Sequence, residues 1–127
     1  MIATSGIYKS FGQFLTVKRD ERRISLREFA RQLGVSAPYM TEVEKDRAAP
    51  LMPERLSRAA EILDLSKEER SEMYDIVGKQ KDCVAPDLPE YIKGKEYVSV
   101  ALRTARDLGA GEADWHKFVE ELKKRKG

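Results

Sequence analysis

Between Ser25 and Ser36 the chain starts a helix, stops it and starts another. Ser25-Leu-Arg-Glu28 has the form of a capping box, in which a serine hydroxyl and a glutamate carboxylate satisfy orphan N–H groups of a first helical turn. Leu26, Phe29, Ala30 and Leu33 then fall on one face, and Gly34 stands where a helix closes on a left-handed residue. Ser36 offers a new N-cap almost at once, and Pro38 is tolerated in the first turn because its missing N–H would be an orphan there anyway. A second short helix must follow, with Met40 and Val43 as its inward pair. Tyr39, Thr41, Glu42 and Lys45 remain for its outer face, and Ala48-Ala49-Pro50 is expected to end it.

The rest of the chain has the same helical character. No alternating apolar run is bounded by tight-turn dipeptides, so strand signals are almost absent. Before the pair just described, Phe11, Leu15 and Lys18-Arg19 suggest a helix that closes ahead of Arg22-Arg23. After it, a fourth helix is expected from Pro53 to Leu63, and a fifth from a capping box at Ser66-Lys-Glu-Glu69. From Lys81 to Pro89 the period is lost and two prolines appear, which reads as a linker. Beyond it, a sixth helix carries Tyr97, Val98, Val100, Ala101, Leu102 and Ala105 and ends at Gly109; a seventh spans Glu112 to Lys126 with Trp115, Phe118, Val119 and Leu122 on one face. The expected fold is therefore all-α, divided into residues 1–80, a linker at 81–90 and a helical extension at 91–127.

Composition narrows the function classes. Charged residues make up 36% of the chain, but 24 Lys and Arg stand against 22 Asp and Glu, so bulk charge alone does not argue for nucleic acid. Residues 1–55 hold 10 basic and 7 acidic residues, which is permissive for phosphate contact and no more. Cys83 is the single cysteine, so an intrachain disulfide is excluded and a reducing compartment is the natural reading. No apolar run approaches the roughly 18 residues of a membrane span, and Met1 to Gly6 lacks the look of a signal peptide, so a cytoplasmic protein without a membrane partner is expected. His116 is the only histidine and has no cysteine near it in sequence, so neither a metal site nor a nucleophile–base pair is supported. Glu68-Glu69 and Glu120-Glu121 are sequence neighbours that point apart on a helix and read as solubilising charge. No enzyme activity, cofactor or metal is expected.

Two short helices joined through a glycine, the second opening on a serine cap, form the layout of a helix-turn-helix. Ser25-Leu-Arg-Glu-Phe-Ala-Arg-Gln-Leu-Gly-Val-Ser-Ala-Pro-Tyr-Met-Thr-Glu-Val-Glu-Lys-Asp-Arg47 resembles the phage repressor and Cro-like class, the XRE family, over about residues 8–66. The stretch from Asp87 to Leu108 resembles a C-terminal extension carried by some members. The resemblance implies a lambda-repressor-like bundle of five helices, here followed by about two more. It also implies double-stranded DNA as partner, with Ala37, Pro38, Tyr39, Thr41 and Glu42 facing base edges. Of these, Ala37 and Pro38 offer only apolar contact, whereas Glu42 can accept from cytosine N4.

Phosphates are expected at Ser25, the backbone N–H of Leu26, Arg27, Ser36, Lys45 and Arg47. The resemblance further pairs Arg19 with Glu44 as a scaffold contact orienting the first helix against the third. The family commonly has glycine where this chain has Asp46, a departure that bears on the loop geometry. A repressor acting as a homodimer, with residues Tyr97 to Leu122 supplying the interface, is the expected mechanism. The alternative is an antitoxin or adaptor that holds a protein partner through the same C-terminal helices.

Overall fold

The structure, a computed structural model, describes residues 8–126; the reading of Met1 to Gly6 lies outside them. Eight helices follow one another: α1 (Phe11–Glu21), α2 (Leu26–Leu33), α3 (Ala37–Glu44), α4 (Pro53–Ile62), α5 (Lys67–Lys81), α6 (Asp87–Ile92), α7 (Glu96–Leu108) and α8 (Glu112–Lys126). No strand occurs among the described residues. The chain divides into two compact units at Glu90/Tyr91.

In the first unit α3 packs on α1 and α2, α4 on α2, and α5 on α1. Phe11, Phe14 and Leu15 meet Phe29, Ala30, Met40, Val43, Leu56, Ala59, Leu63, Met73 and Val77 in one buried cluster. Leu51, in the loop before α4, is also fully buried and pins that loop to the core. Each buried Leu, Phe or Met removes enough apolar surface to contribute roughly 1.5–3 kcal/mol.

Helix ends explain where the elements stop. Gly34 closes α2 at φ 82°, with its N–H on the Ala30 and Arg31 carbonyls. After α1, α3, α4 and α5 the left-handed position is taken by a residue with a side chain: Arg23, Asp46, Asp64 and Asp82, at φ between 51° and 59°. Aspartate enters this region more readily than most residues. As a result α3 ends at Glu44, a turn earlier than Ala48-Ala49-Pro50 suggested.

Two further expectations are corrected. The Ser25 hydroxyl accepts from the Glu28 N–H, but the Glu28 carboxylate turns to Arg31 and Gln32, so this capping box is only half made. Arg31 offers a fork that the Ser25 N–H cannot match. At Ser66 both halves form, Glu69 N–H to Ser66 Oγ at 3.1 Å and Ser66 N–H to Glu69 Oε1 at 2.8 Å. Across the end of the stretch read as a linker, Asp87–Ile92 forms a short helix. Its proline is the third residue, where no intrahelical N–H bond is lost.

In the second unit α7 ends on Gly109 at φ 74°, and α8 follows within three residues. No α7 residue is buried, and each residue from Gly111 to Arg125 is exposed. Trp115 and Phe118 meet edge to face, with centroids 6.2 Å apart.

Candidate nucleic-acid interface

Met40 and Val43 are fully buried, and the Glu44 side chain keeps only 5% of its surface. At 3.6 residues per turn the direction opposite these three is held by Pro38, Glu42 and Lys45, spaced four and three apart. Tyr39 and Thr41 flank that row, Tyr39 at 37% exposure and Thr41 half-buried. Ala37 is also half-buried, nearer the packed side than the row itself. The Thr41 hydroxyl donates to the Ala37 carbonyl at 3.1 Å, which leaves its oxygen able only to accept from outside.

The helix starts gather the polar groups named for phosphate contact. Ser36 Oγ accepts from the Tyr39 N–H at 3.1 Å, as Ser25 Oγ does from Glu28, and both serines are exposed. The Leu26 side chain is partly buried against the core, which leaves its backbone N–H as the group suited to an anion. An open groove of about 460 Å³, lined by Ser25, Arg27, Glu28, Ala30, Arg31, Val35 and Ala37, joins the start of α2 to the start of α3. Arg27 and Lys45 are exposed.

Arg47 behaves differently from these. Its Nε donates to Glu42 Oε1 at 3.1 Å and its Nη2 to Glu42 Oε2 at 2.9 Å, a fork on a carboxylate. Hydrogen bonds from Arg47, with the Arg47 and Lys45 charges added, hold the Glu42 carboxyl below its usual range.

The scaffold beneath this face is polar and closely coupled. Arg19 donates through Nε and Nη2 to the two oxygens of Glu44, both at 2.9 Å, and through Nη1 to the Ile24 carbonyl. Thr16 Oγ1 adds a further bond to Glu44 at 2.9 Å. With side-chain exposures of 12% and 5%, the pair is partly sealed from water, and the hydrogen bonds with Glu44 raise the Arg19 pKa further.

Asp46 was not singled out as a site residue, yet it ties the end of α3 to the start of α1. Its carboxylate accepts from the Gly12 N–H at 3.0 Å and from the Ser10 hydroxyl. Gln80 of α5 accepts from the Phe11 N–H at 2.9 Å, and Ser10 Oγ from the Gln13 N–H at 3.1 Å. Three first-turn donors of α1 thus each find a side chain, and the negative charge sits at the positive end of the helix dipole. Lys18 was also missed. It is buried, with Nζ 2.8 Å from Glu69 Oε2 and 3.3 Å from Glu21 Oε1. Alternation of apolar residues gives no hint that a lysine beside Arg19 turns inward.

Comparison with known families adds the decisive observation: the helix-turn-helix domain family matches residues 10–73, from the cap of α1 into α5. The chain belongs to this family. Its helix-turn-helix is of the XRE type, and the protein is a DNA-binding regulator, not an enzyme. Among solved structures the chain is similar to one chain of the SinR protein/SinI protein complex, at 21% identity over 91% of this chain and 97% of that one, with a TM-score of 0.45. No curated protein matches it. Among the described residues of this helix-turn-helix protein no helix is long and apolar enough to cross a membrane, and no acidic, histidine or cysteine cluster could hold a metal ion.

Proposed function

We propose that this helix-turn-helix protein is a sequence-specific repressor that lays α3 in the major groove of its operator. The observation carrying this reading is the outward row Pro38, Glu42 and Lys45 on a helix whose opposite face is sealed by Met40, Val43 and Glu44. A helix so held offers base edges its N-terminal residues. Pro38 and Ala37 supply apolar contact suited to a thymine methyl, Tyr39 and Thr41 flank it, and Glu42 accepts from cytosine N4. Ser25, the Leu26 N–H, Arg27, Ser36 and Lys45 grip phosphates on either side of the groove. Bound there, in the cytoplasm, the protein excludes polymerase.

A single bundle covers few base pairs, and a homodimer doubles the contact on a two-fold site. The stripe Trp115, Phe118, Val119 and Leu122, all exposed, is the surface we assign to that pairing. The same stripe supports a second reading, in which it holds a different protein and the chain acts as an antitoxin or adaptor.

Selection from a random-oligonucleotide pool with the full chain tests the proposal. A palindromic motif with half-sites about one helical turn apart is expected. A pool that stays random would remove the sequence-reading claim. Reporter output from the selected site should fall as protein rises, and an increase would reverse the sign of regulation while leaving DNA binding intact.

A further inference from the structure

We infer that Arg47 is a positioning residue for base readout, holding the Glu42 carboxylate in its reading geometry, and does not serve as a phosphate contact. The inference rests on the proposed α3 readout and sharpens it.

The pairing starts in the backbone. Asp46 in the left-handed region lets the chain fold back over the end of α3, so that the Arg47 N–H reaches the Glu42 carbonyl at 2.8 Å and the Asp46 N–H reaches Val43 at 3.0 Å. This pair of bonds is the Schellman arrangement. It brings Arg47 back alongside Glu42, one turn up the helix. The Asp46 carboxylate, bonded to Gly12 N–H and Ser10, fastens the turn to α1. An exposed ion pair is individually weak. Here the turn has already fixed one end of it, so little freedom is lost when the side chains join.

The fork leaves the carboxylate usable. An ionised carboxylate has about four lone-pair sites, and Arg47 occupies two, which leaves acceptors for a cytosine amino group. It also cancels a negative charge that would otherwise approach DNA phosphates unscreened. Side-chain exposures of 45% for Glu42 and 57% for Arg47 keep both groups at the surface, where a base can reach them. Lys45, exposed on the same outward row, is not in this fork and remains suited to a phosphate.

The test uses the full chain and four variants, Arg47→Ala, Arg47→Lys, Glu42→Gln and Lys45→Ala, each carried through oligonucleotide selection and a salt titration of affinity. Lys45→Ala should flatten the logarithmic salt slope by about 0.9 and leave the motif unchanged. Arg47→Ala should keep the slope within about half a unit of wild type, but lose about tenfold in preference at the base position that Glu42→Gln also alters. Arg47→Lys should fail to restore that preference, because an ammonium keeps the charge without the planar fork. In the Glu42→Gln background, Arg47→Ala should add nothing at that position.

A slope lowered by about 0.9 with the motif intact, or full rescue by Arg47→Lys, would overturn the assignment and return Arg47 to the phosphates. A wild-type chain that selects no motif would instead remove the readout on which the assignment rests. Independently of DNA, the Arg47 Nε–H should give a slowly exchanging NMR signal that Glu42→Gln abolishes. Fast exchange in the wild type would also overturn the inference.

Discussion

Glu69 joins two tasks in one carboxylate. Through Oε1 it caps α5 at the Ser66 N–H and meets Arg22 at 3.0 Å, and through Oε2 it accepts from buried Lys18 at 2.8 Å. Burial pushes its carboxyl up, but the Lys18 and Ser66 hydrogen bonds and the Lys18 and Arg22 charges outweigh this and hold it at about 2. Burial likewise lowers the Lys18 ammonium, and bonds to Glu69, Tyr8 and Glu21 more than restore it. Because the unfolded Glu69 takes up its proton at higher pH than the folded one, acid favours unfolding. The stabilisation is complete above about pH 4.5 and is lost as pH falls toward 2. It amounts to something on the order of 2–3 kcal/mol. Urea unfolding of Glu69→Gln should thus show a deficit at pH 7 that shrinks below about pH 4.5 and closes only below about pH 2; a deficit independent of pH would assign the effect to packing.

The approach of α1 to α3 is the contact that sets the position of α3. A Cβ on Gly12 would lie 2.3 Å from the Glu44 carbonyl oxygen and 2.8 Å from that of Val43, and neither is the end of a flexible side chain. Around this point Arg19 and Thr16 hold the Glu44 side chain while Asp46 holds the Gly12 N–H, so one short crossing carries polar contacts on both sides. Gly12→Ala is expected to force the helices apart, with a loss of about 1–3 kcal/mol or more, and to weaken binding to specific DNA more than to random DNA. Unchanged thermal unfolding would contradict so close an approach. Gly34→Ala makes a contrast: no atom lies within 4 Å of its Cβ, and the substitution strains only the left-handed backbone.

Seen whole, the chain keeps its buried apolar residues in one place. From Phe11 to Val77 they belong to the first unit, whereas in the second unit Tyr97, Val100, Leu102, Leu108, Trp115, Phe118, Val119 and Leu122 remain exposed. A unit of under 40 residues with this exposure needs a partner surface to be stable. Residues 1–90 by themselves should unfold cooperatively, sediment as a monomer and bind the selected operator more weakly than the full chain. If the full chain also sediments as a monomer, both free and on its operator, the proposed pairing through α8 fails.

Much of this architecture is legible along the chain, because helix starts and glycine stops are local events. Ser25, Gly34, Ser36 and Ser66 mark α2, α3 and α5 through bonds made within a few residues, and the spacing of Met40 and Val43 already assigns the outward face of α3. The Arg19–Glu44 contact came from resemblance to the family, since residues 25 apart give no periodic signal of meeting. Where the left-handed residue is an arginine or aspartate, as at Arg23, Asp46, Asp64 and Asp82, composition does not mark the stop. Lys18 turning inward to Glu69, Gly12 resting on the Glu44 carbonyl, and Asp46 capping α1 all join residues more than 30 positions apart. Such pairs depend on how the helices cross. Crossing is settled by packing among all the buried side chains together, and no local pattern encodes it.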